Sequence, residues 1–278
     1  MKTQPESFSE LFHQLTGNAQ FPWQGEFSHS FKVLTGVDPL SWQTRLFREH
    51  FAKAPESLPA IIDLPTGLGK TMIMAIWLIA RSSHPDKTLT RLIYVVDRRT
   101  VVDQATDIAE DFAYLLAPEN ARRFLVSTKR KPEVIERKKK YAESLVVLRN
   151  QLGLASDGLA ISTLRGQLAD NRQWSQDPSR PAIIIGTVDL IGSALLFSGY
   201  RSGYKTRPLH AGLLGQDSLL VLDEAHLSKP FDELLRSIEQ FQTAQRGTGV
   251  SPVKPLQVIR MSATSGNSSD VNLPERRS

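Results

Sequence analysis

Lys70 and Thr71 close the stretch Ala60-Ile61-Ile62-Asp63-Leu64-Pro65-Thr66-Gly67-Leu68-Gly69-Lys70-Thr71, and Asp223 and Glu224 close the apolar run Ser218-Leu219-Leu220-Val221-Leu222. The first stretch has the make-up of a phosphate-binding loop. Gly67 and Gly69 let backbone N–H groups approach phosphate oxygens, with Pro65, Thr66 and Leu68 completing the turn. Lys70 then reaches the β- and γ-phosphates, and the Thr71 hydroxyl can ligate Mg2+. The second stretch is its complement. Asp223 would hold Mg2+, usually through water, and Glu224 would orient and deprotonate an attacking water. Together they predict ATP and Mg2+ as the bound species. Asp-Glu-Ala-His alone is a weak signal, because most such tetrapeptides are surface acid. Its place at the end of a buried strand, downstream of a phosphate loop, is what gives it meaning. The strict loop pattern has a glycine where Leu64 stands, so the match is incomplete.

These groups need elements to position them. An apolar β run at 60–64 enters the loop, and a helical pattern runs from Thr71 to about Arg81. Its N-terminus adds a partial positive charge behind the phosphates. Leu92–Val96 is a short continuous apolar run, as expected of a strand covered on both faces, and a helix follows to about Leu116. Further strands are expected at 159–162, 181–185, 218–222 and 256–261. Helices are expected at about 42–52, 132–152, 191–197 and 231–246. This alternation predicts an α/β fold, with a mainly parallel sheet and helices on both faces. The expected divisions are a helical N-terminal segment at 1–53, the α/β domain at 54–264 with a charged helical insertion at 118–156, and a disordered polar tail at 265–278.

The N-terminal segment carries a repeat. Phe12, Leu15-Thr16-Gly17 and Trp23-Gln24 recur as Phe31, Leu34-Thr35-Gly36 and Trp42-Gln43, offset by 19 residues. Nothing else repeats at that period, which excludes a solenoid.

Bulk composition narrows the class. There is no cysteine, hence no disulfide framework or thiolate metal site, which suits a cytoplasmic location. Residues 1–20 lack an apolar signal core, and no apolar run approaches the ~20 residues needed to span a bilayer, so no membrane contact is expected. The net charge of +5 hints weakly at a polyanionic partner. Charge is concentrated in Lys129-Arg130-Lys131 and Arg137-Lys138-Lys139-Lys140. That run is either a solvated helix face or a source of non-specific attraction to nucleic acid.

Several residues are candidates to hold nucleic acid. Arg98 and Arg99 follow a strand, on the edge where open parallel sheets bind ligands. Thr163, Arg165, Gly166 and Thr187 lie at two further strand-to-helix turns. Such hydroxyls, amides and guanidinium groups can hold a single strand by its phosphates without reading bases. The plainer alternatives are ion pairs of the two arginines with Asp103 and Asp107, and helix caps for the threonines.

The motifs occur in a telling order. Thr-Gly-Leu-Gly-Lys-Thr, Val-Val-Asp-Arg-Arg-Thr-Val-Val-Asp-Gln, Ser-Thr-Leu-Arg-Gly, Gly-Thr-Val-Asp, Asp-Glu-Ala-His and Ser-Ala-Thr resemble the first RecA-like domain of superfamily 2 helicases of the DEAH type. Those enzymes commonly relax the first loop glycine. The wording of 94–104, 162–166 and 186–200 is similar to the helicase–nuclease of type I CRISPR systems, nearest the type I-G (formerly I-U) branch. The resemblance covers about residues 8 to 264. It implies a RecA-like P-loop fold and ATP-driven movement on single-stranded DNA. It also implies DNA degradation in antiviral defence, after recruitment by a guide-RNA surveillance complex. It assigns adenine contact to a Gln upstream of the loop, here Gln43, although the duplicated Trp-Gln departs from the family pattern. His226, Ser262, Ala263 and Thr264 would couple the nucleotide site to the nucleic-acid site. The family's second RecA-like domain, with its arginine finger, and its HD nuclease have no counterpart in these residues. The expectation is a partial protein that binds ATP but hydrolyses it poorly alone. Two alternatives stay open: a DEAH-type helicase or restriction-enzyme motor outside CRISPR, and a nucleotide-binding subunit of a split motor.

Overall fold

The computed structural model describes residues 22–53, 57–118, 130–154, 158–164, 173–199, 203–246 and 253–262. Six strands form one all-parallel sheet: β1 (Ile61–Asp63), β2 (Arg91–Val96), β3 (Ala160–Leu164), β4 (Ala182–Thr187), β5 (Ser218–Leu222) and β6 (Gln257–Ser262). Their spatial order is β1-β6-β5-β2-β4-β3. Every strand therefore ends at the same edge, and the described site residues that follow a strand are delivered there.

The strands are apolar along their length because both faces are covered. Alternation divides them between two cores. Leu92, Tyr94 and Val96 face one core, with Ile183, Ile185, Leu219, Val221, Ile259 and Met261. Ile93 and Val95 face the other, with Ile184, Leu220, Leu222 and Val258. The first core is roofed by the helices Pro22–Thr35, Ile73–Ser83, Arg99–Leu116 and Ala142–Gln151. The second is roofed by Val188–Leu195, Arg207–Gly215 and Lys229–Arg246. Ile73 to Ala80 are all buried, as expected of a helix apolar all round.

Three local features depart from expectation. The helix expected at 132–152 is two, Pro132–Lys140 and Ala142–Gln151, broken at Tyr141. The helix expected at 42–52 is α-helical only over Ser41–Leu46 and continues as a π-helical turn, Phe47–Phe51. The helix Arg207–Gly215, opened by Pro208, was not foreseen.

The basic run has a structural use. Arg137 donates to the Leu34 carbonyl at 2.7 Å, and Lys138 donates to the Tyr114 and Ala117 carbonyls at 2.6 and 3.0 Å. Both close the C-terminal ends of other helices, where unpaired carbonyls favour cations. Gly36 explains its place in the repeat. Its φ is +86°, and a Cβ there would lie 2.5 Å from the Arg137 guanidinium. The first copy of the repeat lies largely outside the described residues, as does the tail at 265–278.

Candidate active site

β1 ends in Asp63, and the chain turns through Leu64 to Gly69 into a short 3-10 turn, Lys70–Met72, then the helix Ile73–Ser83. Gly67 and Gly69 have φ of +86° and +68°, a backbone that residues with a Cβ rarely adopt. Pro65, Thr66 and Gly67 are exposed, while Leu68 and Gly69 are half-buried. Lys70 is only 7% exposed.

Its ammonium explains how. Lys70 Nζ donates to Glu224 Oε1 at 2.7 Å and stands 3.8 Å from Asp223 Oδ1. A buried cation of this kind requires such partners. β5 lies across β6 from β1, and its end delivers both acids. The Asp223 amide donates to the Val95 carbonyl at 2.9 Å, continuing the β2–β5 ladder by one residue. Glu224 then adopts a left-handed backbone, φ +51°, and its amide donates to Asp223 Oδ1 at 3.1 Å. A non-glycine residue in that region is uncommon and costs energy, and such positions cluster at functional sites.

Asp223 has a further partner that the sequence reading missed. The Tyr94 hydroxyl donates to Asp223 Oδ2 at 2.7 Å. Burial, and then the Asp223 carboxylate, push the Tyr94 phenol well above its usual pKa. A polar tip inside an otherwise apolar buried strand was the available signal, since such a group requires a partner.

These donors suit Mg2+. Thr71 and Asp223 offer hard oxygen donors. No cluster of three or more His, Cys, Asp or Glu that could cage a metal occurs among the described residues. Mg2+ held by one or two protein oxygens together with substrate phosphates needs no such cage.

Trp42 and Gln43 stand against the back of the loop. The Trp42 indole N–H donates to the Leu68 carbonyl at 3.0 Å. The Gln43 amide, 2% exposed, accepts from the Leu40 N–H at 2.8 Å and donates to the Gly69 carbonyl at 3.4 Å. On the other side of the acids, His226 Nδ1 lies 3.6 Å from Glu224 Oε2 and 3.3 Å from Ser262 Oγ. Ser262 also accepts, through its carbonyl, from the Leu64 N–H at 2.9 Å. Ala263 and Thr264 lie outside the described residues.

Of the candidate nucleic-acid residues, Arg98 and Arg99 follow β2, Thr163 lies near the end of β3 and Thr187 ends β4, on the other half of the same edge. Arg98 and Arg99 are exposed. Thr163 Oγ1 lies 3.1 Å from Thr106 Oγ1, which itself donates to the Val102 carbonyl. Thr187 is the N-cap residue of the helix Val188–Leu195, without a side-chain capping bond, and is 8% exposed. Arg165 and Gly166 lie outside the described residues.

A family model described as type III restriction enzyme, res subunit, matches residues 36–266. A search of curated proteins returns no match. Among solved structures, the helicase Lhr of Mycobacterium smegmatis, bound to ssDNA and AMP-PNP, is similar with a TM-score of 0.46 and 16% identity. That match covers 87% of this chain and 24% of the helicase, so the chain spans about a quarter of its length. With the family match running from ahead of the phosphate loop to beyond β6, and the loop lysine meeting the two acids at the end of a parallel sheet, the chain is a RecA-like, helicase-family ATP-binding motor domain and belongs to the type III restriction enzyme res-subunit family.

Proposed function

We propose that this chain is the first motor domain of a superfamily 2 helicase–nuclease that moves on single-stranded DNA and helps degrade it in type I CRISPR defence. The observation that carries the motor part is the 2.7 Å contact between Lys70 and Glu224, which joins residues 154 positions apart. In this reading the loop amides of 66–71 and Lys70 hold the phosphates. Thr71 and Asp223 hold Mg2+, and Glu224 takes the proton of the attacking water. The ion, when bound, neutralises charge on the β- and γ-phosphate oxygens. Gln43 meets the adenine edge, and His226, Ser262, Ala263 and Thr264 report nucleotide state to the nucleic-acid side. Arg98, Arg99, Thr163, Arg165, Gly166 and Thr187 hold the strand by its phosphates.

The CRISPR assignment, the guide-RNA surveillance complex as partner and the cytoplasmic location rest on the resemblance of 94–104, 162–166 and 186–200. No helix among the described residues is long and apolar enough to cross a membrane. The family description favours a second reading, a restriction-enzyme motor outside CRISPR. The two are separated by the nuclease that accompanies the motor.

The test is ATP hydrolysis by the purified chain, with and without single-stranded DNA, beside Lys70→Ala. We expect nucleotide binding that Lys70→Ala abolishes, with slow turnover. In related phosphoryl-transfer enzymes an arginine finger from another domain or protein is worth about 10³–10⁵ in rate. Brisk turnover by the monomeric chain would overturn the proposal of slow hydrolysis. Nucleotide binding untouched by Lys70→Ala would overturn the site itself.

A further inference from the structure

Tyr94 sits at the centre of β2 with none of its surface exposed, yet its one polar atom reaches the end of a neighbouring strand. The pairing register accounts for the reach. Tyr94 lies opposite Val221, so a side chain directed along the strand toward its C-terminal end arrives at Asp223 two residues on. The phenol O–H donates to Asp223 Oδ2 at 2.7 Å. The other oxygen, Asp223 Oδ1, accepts the Glu224 amide and faces Lys70 at 3.8 Å.

We propose that Tyr94 is a positioning residue for the metal-holding carboxylate: its hydroxyl holds Asp223 Oδ2, fixing the rotation of the carboxyl group and leaving Oδ1 toward the nucleotide. The assignment rests on the proposed nucleotide site. It adds that metal affinity, and not nucleotide affinity, depends on this hydroxyl. Partners that orient a metal ligand from behind are worth about 10–100-fold in metal affinity. The phenol's hydrogen bond goes to Asp223 and not to the phosphate loop, so metal-free nucleotide binding has no reason to change.

Tyr94→Phe tests this, since it keeps the ring and removes only the hydroxyl. The full chain is saturated with AMP-PNP, and Mn2+ binding is counted by electron paramagnetic resonance. AMP-PNP affinity is measured separately in EDTA. We expect the Mn2+ dissociation constant to rise about 10–100-fold while metal-free AMP-PNP affinity stays within about twofold of wild type. Adding Y94F to Asp223→Asn should then weaken Mn2+ binding no further. Unchanged Mn2+ affinity in Y94F would overturn the assignment. So would a parallel loss of both affinities, a Y94F chain that does not fold, or a double variant weaker than D223N alone, because each means that the ring packs the core or acts elsewhere. Failure of the underlying site looks different: wild type binds no AMP-PNP, or Lys70→Ala binds it normally, and the Tyr94 assignment falls with it.

Discussion

The Trp42 indole N–H and the Leu68 carbonyl are 3.0 Å apart, so a residue from the N-terminal helical segment holds the phosphate loop from behind. Trp42 is also 2% exposed and part of the core shared with the helix Ile73–Ser83. Trp42→Phe should therefore separate two effects. Losing the hydrogen bond should cost about 1 kcal/mol of stability and slacken the loop, weakening nucleotide binding severalfold. Trp42→Ala should cost roughly 3–5 kcal/mol by emptying the site. Denaturant melts followed by circular dichroism, beside nucleotide titrations, check both.

Glu224 and Lys70 should fail in different ways. Glu224→Gln keeps the side-chain size and a hydrogen-bonding group but removes the base. ATP binding should survive and hydrolysis should fall about 10²–10⁴-fold. Lys70→Ala should lose binding itself and leave two acids without their cation. Equilibrium binding and single-turnover assays on both variants make the comparison. Equal loss of binding in the two would contradict the roles given.

Gly67 and Gly69 share a left-handed backbone but not their surroundings. A Cβ on Gly67 meets nothing within 4 Å, whereas one on Gly69 lies 3.3 Å from Gln43 Nε2. Gly67→Ala should lose about 1–2 kcal/mol, from backbone conformation alone. Gly69→Ala should lose more and also displace Gln43, so its nucleotide affinity should fall further. Thermal melts and nucleotide titrations of the pair decide it.

Stability should decline on mild acidification, partly through His29. Burial lowers its pKa below the ordinary 6.5, and its Nε2 lies 3.1 Å from Ser144 Oγ. Above pH ~6.5 the ring is neutral in both folded and unfolded chains, and no stability depends on it. As pH falls below that value the unfolded chain takes a proton that the folded chain resists, so stability is lost, and the loss levels off below the folded pKa. His84 shifts the same way through burial. His29→Gln should therefore lose less stability than wild type between pH 7.5 and pH 5.5, the interval that brackets the ordinary histidine value. Urea melts at the two pH values measure the difference.

Much of this could be seen in the residues beforehand, for physical reasons. β5 was expected with the bounds found, and β2, β4 and β6 within a residue or two, because doubly covered strands are unbroken apolar runs. The loop and the Asp223–Glu224 pair could be matched because each carries its chemistry in adjacent residues. What escaped depends on contacts across the fold. Tyr94 looks like any core aromatic until Asp223, 129 residues away, is brought to its hydroxyl. Arg137 and Lys138 look like solvated charge until the helix ends they close come into place. The break at Tyr141 carries neither Pro nor Gly, and the strand order has no local signature.

That order has a consequence for how the protein is made. Among the described residues β1, the strand that feeds the phosphate loop, pairs with β6, which follows the other five strands in the chain: Ile61 with Arg260, Ile62 with Met261, Asp63 with Ser262. Until residue 262 has emerged, the loop's own strand lacks this neighbour, however complete β2, β3, β4 and β5 have become. Of the six strands, the one that carries the phosphate loop is thus the last to be seated, although it is the first to be made.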